Sequence, residues 1–199
     1  MDVARYARQI ALPEVGPDGQ ARICAARVAV VGSDLAAETA TLYLRAAGVT
    51  DLFPLPLSSL SPLPLGEGQG EGDSLRDWRS LLTNVDLIVR TNFDDDATMG
   101  VATQLGLPVI AVRATPDAVD MVSFSGRVPS PDARADVPVQ AAATPAANDA
   151  TAVLAGTLAA AEALRALVRE ASGPFAPQIR HLRLPLDGRE PLVQRIGAP

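Results

Sequence analysis

The feature that most restricts this chain's folding is the run Arg27-Val28-Ala29-Val30-Val31-Gly32, apolar from Val28 to Val31 and closed by a glycine. A strand with one face in water alternates apolar and polar side chains, so an unbroken apolar run suits a strand buried on both faces. Leu35 to Ala47 follows with the pattern of a helix, with Ser33 or Asp34 as N-cap and Gly48 as the C-terminal stop. A doubly buried strand, a tight turn and a helix in that order open a doubly wound, Rossmann-like α/β sheet with helices on both faces.

The remaining segments extend this frame. Residues 1–26 read as two short helical pieces around the Pro13-Glu14-Val15-Gly16-Pro17 break. Val49 to Leu57 is the second strand. Pro54 and Pro56 remove two amide donors pointing the same way, so it pairs on one side only and forms an edge. Ser58 to Asp73, with Pro-Leu-Pro-Leu-Gly-Glu-Gly-Gln-Gly-Glu-Gly, lacks apolar periodicity and is expected to be a flexible loop. Further elements are expected at Leu75 to Leu82 (helix), Val85 to Val89 (strand), Ala97 to Leu105 (helix), Pro108 to Val112 (strand) and Val122 to Val128 (strand). After a Pro/Ala-rich connector from Pro129 to Asn148, Ala152 to Val168 is a helix of low polarity, to be buried against the sheet or another subunit. Arg180 to Leu186 and Pro191 to Ile196 flank Asp187-Gly188 as a C-terminal hairpin.

Composition narrows the function. A chain of 199 residues, 48% of them hydrophobic, suits one core, so residues 1–199 are expected to form a single domain. The net charge of −6 and the scattering of 17 basic residues argue against a nucleic-acid partner. One cysteine, Cys24, and one histidine, His181, leave no internal disulfide and no ordinary zinc ligand set. Cys24 reads as a buried structural thiol and His181 as a surface or partly buried strand residue. The N-terminus lacks a signal-peptide layout and no apolar run approaches the roughly 20 residues that span a bilayer, so no membrane partner and a cytoplasmic location are expected.

Four stretches together carry a resemblance: Arg5-Tyr6-Ala7-Arg8-Gln9-Ile10, Gly19-Gln20, the Arg27 to Gly32 run, and Tyr43-Leu44-Arg45-Ala46-Ala47-Gly48-Val49. They resemble the opening of the MoeB/ThiF/HesA family, the ubiquitin-activating-like enzymes that adenylate the C-terminus of a ubiquitin-like or sulfur-carrier protein. The resemblance covers nearly the whole chain, strongly at the N-terminus and more weakly after Leu57. Where the family has Gly-x-Gly-Gly-Leu-Gly around the ATP phosphates, this chain has Gly32-Ser33-Asp34-Leu35-Ala36-Ala37, in register without insertion or deletion. Glycines at such a turn let the backbone approach a phosphate, and the free amides and dipole of the following helix receive its charge. Side chains obstruct that approach. A carboxylate at Asp34 about 4 Å from a phosphate oxygen would repel it by roughly 4 kcal/mol at an effective dielectric near 20.

Other parts of the family's nucleotide site are altered as well. The second strand ends Leu55-Pro56-Leu57-Ser58 without the acid that relatives place there, and the family's Asn-Leu-x-Arg-Gln segment has no counterpart. Arg90-Thr91-Asn92-Phe93-Asp94-Asp95-Asp96 matches the family's Asp-Asn-Phe region only with a shift. Gly32, Asn92 and Asp94 are thus the remnant nucleotide site. Asp94 is the candidate for the metal-binding aspartate, with a solvated acidic turn or N-cap as the alternative. Arg8 matches the arginine that in the family reaches from one subunit into the ATP site of its dimer partner; packing or ion pairing of the N-terminal helix is the alternative.

The resemblance therefore implies a degenerate member without ATP binding, acting as a non-catalytic partner or scaffold. No cofactor is expected, with ATP and Mg bound only if the nucleotide site functions. The expected partners are a second copy, a complete activating-enzyme relative, or a ubiquitin-like or sulfur-carrier protein. Two alternatives stay open: an active adenylyltransferase of such a carrier, and a dinucleotide-binding Rossmann protein. The second of these also suffers from the lost glycines.

Overall fold

The computed structural model describes residues 2–55, 80–91, 102, 104–125, 147–169 and 178–196. Their elements are α1 (Ala7–Ile10), α2 (Gly16–Ala25), β1 (Arg27–Val31), α3 (Leu35–Ala47), β2 (Asp51–Leu55), β3 (Leu87–Thr91), β4 (Val109–Ala114), β5 (Ala118–Ser125), α4 (Asp149–Arg169), β6 (Gln178–Pro185) and β7 (Leu192–Ile196). The seven strands form one sheet in the order β2-β1-β3-β4-β5-β6-β7. The first four are mutually parallel and the last three antiparallel. The change comes between β4 and β5, where the Thr115 amide donates to the Ala118 carbonyl at 2.9 Å. A turn that tight cannot make the long crossover a parallel neighbour needs, so β5 must run back along β4.

Local chemistry accounts for the first half. The Asp34 side chain accepts from the Ala37 amide at 2.9 Å and caps α3, and Gly48 ends it in the left-handed conformation at φ 116°. Beside Gly48, the buried Gln20 donates to the Ala47 carbonyl at 2.8 Å and binds α2 to the end of α3. Among the described residues β2 pairs only with β1, with Pro54 opposite Val30, as an edge strand containing proline must.

The core lies where α3 and α4 cover one face of the sheet. Val28 and Val30, Leu87 and Val89, Ile110 and Val112, and Val119 and Met121 meet Ala36, Ala40, Leu44, Ala155, Ala159 and Ala163. Alternate residues on the opposite face, Ala29, Ile88, Val109, Ala111 and Val122, are buried too, as expected of strands enclosed on both sides. Small residues let the two helices approach closely, and a Cβ on Gly156 would overlap the Ala36 carbonyl oxygen.

Three sequence expectations are corrected. β3 continues through Arg90 and Thr91, both 1% exposed, because pairing with Ala111 and Val112 of β4 carries the strand two residues beyond its apolar run. β5 begins at Ala118, four residues ahead of the expected start, since the β4–β5 turn sets its register with β4. At 21 residues, α4 is long and apolar enough to span a bilayer by length and composition, against the expectation that no apolar stretch approaches that length. Its alanines and leucines instead pack on α3 and the sheet. The loop expected at 58–73 and the connector expected to Asn148, apart from its last two residues, lie outside the described residues.

Candidate functional site

In a doubly wound sheet, ligands bind beyond the carboxyl ends of the strands, where neighbouring connections leave in opposite directions. Here β1 is followed by β2 on one side and has β3 on the other, which places that crevice between the ends of β1 and β3. Gly32, at φ 146°, turns the chain out of β1 and donates its amide to Leu55 of β2 at 3.0 Å. A Cβ at Gly32 would overlap Thr91 Oγ1, so glycine is required by the neighbouring strand itself. The Thr91 hydroxyl, at the end of β3, donates to Asp34 Oδ1 at 2.7 Å. One carboxylate thus joins the two sides of the crevice. It also occupies the Ala37 amide, one of the donors that a helix N-terminus offers an anion.

Asp34 itself is exposed, so water screens its charge and weakens the Coulombic repulsion expected from the sequence. The obstruction at this turn is therefore chiefly occupancy of the amide. Arg8 is exposed on α1, and among the described residues its side chain has no hydrogen-bond or ion-pair partner. Gly32 is in the crevice, while Asn92 and Asp94 lie outside the described residues. Cys24, in the last turn of α2, is half-buried with its sulfur 3.6 Å from Gln20 Nε2.

His181 departs most from expectation. It is only 2% exposed, its Nε2 lying 3.4 Å from Asp120 Oδ1, and Asp120 is also buried. Cross-strand register creates the cluster: Asp120 of β5 faces Arg113 on β4 and Arg183 on β6, with its Oδ2 3.5 and 3.4 Å from their guanidinium nitrogens. Burial works to raise the Asp120 carboxyl, but the hydrogen bond from His181 and the charges of Arg183 and Arg113 outweigh it and hold it below its ordinary value. On the opposite face, Glu162 of α4 is gripped by Arg165, one helical turn along, and by Arg180 at 3.3 Å. Burial opposes ionisation of Glu162 too, and the hydrogen bond and charge of Arg165, the charge of Arg180 and the Ser123 hydroxyl together lower its pKa. The sequence signal for both clusters was a lone acid in an apolar segment, which calls for a cationic neighbour without saying which.

Comparison with known structures decides the architecture. PaaA superimposes at a TM-score of 0.64 over 98% of this chain and 73% of that one, with 17% identity. MccB from E. coli does so at 0.63 over 100% and 73%, with 12% identity. The fold is of the MoeB/ThiF type. At these identities the match shows the fold of the MoeB/ThiF-type domain and no more. Sequence relatives agree: the chain is 48% identical over 48 residues to the probable adenylyltransferase/sulfurtransferase MoeZ of Mycobacterium tuberculosis, 24% of this chain and 12% of that protein. It is also 48% identical over 48 residues to the SAMP-activating enzyme E1 of Haloferax volcanii, 18% of whose length is matched. No protein-family profile matches the chain. The MoeB/ThiF-type resemblance read from the sequence is thus met in both comparisons, in sequence over part of the chain and in fold over nearly all of it.

Proposed function

We propose that this MoeB/ThiF-type domain does not hold ATP in the usual phosphate-loop pose and serves as a non-catalytic partner or scaffold of an activating enzyme. The observation that carries this reading is the Asp34 carboxylate, which takes the Ala37 amide that a phosphate oxygen would need and is held there by the Thr91 hydroxyl. Bringing ATP into that turn would require Asp34 to give up two hydrogen bonds and leave its charge beside a phosphate, which does not fit the group.

Solved relatives include MccB with ATP and MccB with N-formylated MccA, so nucleotide and peptide both bind that relative. By extension, a second copy, a complete activating enzyme or a ubiquitin-like or sulfur-carrier protein is the kind of partner proposed here. Calorimetry with ATP·Mg is the direct test, run beside a variant with Asp34→Gly and Ala37→Gly. The natural chain is expected to release no binding heat at about millimolar nucleotide, whereas an affinity near micromolar would overturn the reading and leave an adenylyltransferase in its place.

Arg8 is the residue proposed to act across a subunit boundary, as its exposure and lack of a partner within the described residues favour. An arginine supplied in trans needs no phosphate loop of its own, because it stabilises charge in another subunit's site. Arg8→Ala is expected to leave the unfolding midpoint unchanged and to slow adenylation by a complete partner enzyme about 10³-fold or more, the scale of arginines supplied in this way. An unchanged partner rate would remove Arg8 from the mechanism.

A further inference from the structure

We propose that the outer edge of β7 is a docking site for an extended segment of a partner protein, one carrying an apolar residue and an acidic residue two positions apart. The inference stands whether or not nucleotide binds. Among the described residues, β7 ends the sheet and no strand pairs with its outer side. Every residue from 186 to 195 is exposed, including Leu192 at 43% and Val193 at 56%. The other end of the sheet is treated differently. In β2, Pro54 withdraws an amide from the ladder, whereas Leu192-Val193-Gln194-Arg195-Ile196 contains neither proline nor glycine. An unblocked edge strand offers a row of backbone donors and acceptors to an incoming strand, and in that mode of recognition neighbouring pockets choose the side chains.

Such a pocket lies beside it. A cavity of about 230 Å³ opens between α4 and the sheet, where Met121, Leu158, Leu182 and Val193 line it beside the ion-paired Glu162 and Arg180. Val193 belongs to β7, so the cavity reaches the strand next to which a new one would lie. Period-two alternation places Arg195 on the same face as Val193, and among the described residues Arg195 makes no ion pair. An eighth strand running antiparallel to β7 would set one side chain opposite Val193, at the mouth of the cavity, and another opposite Arg195. The first is suited by a valine-sized apolar group and the second by a carboxylate.

Charge selects this occupant over a second copy of the chain. Of the four arginines in residues 178–196, Arg180 and Arg183 are held by Glu162 and Asp120 and Arg189 by Asp187, which leaves Arg195 at the β7 edge as the cation with no ion pair among the described residues. A second copy would bring its own Arg195 to the same edge, while an acidic segment meets that charge with the opposite sign.

The test uses the full chain, isotopically labelled, and the capped peptide Thr-Thr-Glu-Thr-Val-Thr, whose glutamate and valine fall opposite Arg195 and Val193. Titration to about millimolar peptide is expected to shift the amide resonances of residues 192–196 first, and replacing the peptide glutamate by lysine to weaken binding about tenfold. Arg195→Glu should reverse that preference, and Val193→Asp, at an exposed position, should weaken binding of the valine peptide while leaving the spectrum of the rest of the sheet unchanged. Absence of shifts in β7, or equal binding of the two peptides by the natural chain, would overturn the proposal. So would shifts of the same amides that grow with protein concentration alone, accompanied by a dimer in sedimentation, since they would give the edge to a second copy.

Discussion

Gly156→Ala is expected to lower the urea midpoint of unfolding, although the same exchange in the middle of an ordinary helix raises stability by about 1 kcal/mol. The sign changes because of what the new methyl would meet. Its Cβ would overlap the Ala36 carbonyl and come within 2.7 Å of Thr39 Cβ, and the first of these is backbone. A flexible side chain can swing aside, but Ala36 sits in the first turn of α3, held by the Asp34 cap and by the packing of Ala37 and Ala40 on the sheet. Relief would need α3 and α4 to separate along a contact that holds much of the core together. Overpacking of this kind costs about 1 to 3 kcal/mol, enough to outweigh the gain in helix propensity. Gly156→Leu should prevent folding. An unchanged slope of free energy against urea with a lower midpoint would identify a loss of native stability. A midpoint equal to or above that of the natural chain would show that the spacing of the two helices is not set at Gly156.

The close approach at Gly156 is invisible to local reasoning, and it shares that property with most of what the sequence did not disclose. α3 was legible to the residue because its signals lie within the segment: Asp34 reaches three residues forward to an amide, and Gly48 supplies the left-handed end. The edge position of β2 followed from the chemistry of Pro54, whatever strand stood next to it. The hairpin likewise followed from Asp187-Gly188, with Gly188 at φ 85°. By contrast, whether a polar side chain in a strand is buried depends on neighbours far away in sequence. His181 alternates with Leu182 and Leu184 as a surface residue would, and only pairing of β6 with β5 brings Asp120 beside it. The extension of β3 through Arg90 depends in the same way on β4.

The candidate site divides similarly. The departure from the glycine-rich turn was plain in Gly32-Ser33-Asp34, and so was the cap formed by Asp34. That Thr91 would close the turn from the other side of the crevice was not, because it depends on β1 and β3 being sheet neighbours with 55 residues of chain and another strand between them in sequence order. The hydrogen bond matters for function because it ties the carboxylate that caps α3 to the end of β3. An anion entering the turn would have to displace that carboxylate from the Ala37 amide.

Asp120→Ala is expected to be the most costly single change among the charged residues. It removes the acceptor shared by His181, Arg113 and Arg183, the first two of which have side chains only 2% and 11% exposed. Taking one partner from a buried ion pair costs about 3 to 5 kcal/mol when the remaining charge cannot reach water. Arg183, with 42% of its side chain exposed, can turn outward and Arg113 keeps another interaction, and so no more than the lower end of that range, about 3 kcal/mol, is expected. The pH dependence carries a second signature. Because the folded carboxyl titrates below its ordinary value of 3.8, its contribution is fully present above that pH and disappears as the pH falls through the lower folded pKa. The difference in stability between the natural chain and Asp120→Ala should therefore be constant near neutrality and shrink as the solution is acidified below 3.8. Asp120→Asn should recover part of the loss at neutral pH, since an amide oxygen still accepts from His181 while the attraction to the arginines is gone. A difference that stayed the same down to the acid limit would mean that Asp120 acts through its shape and packing, and that its charge does not hold β4, β5 and β6 together.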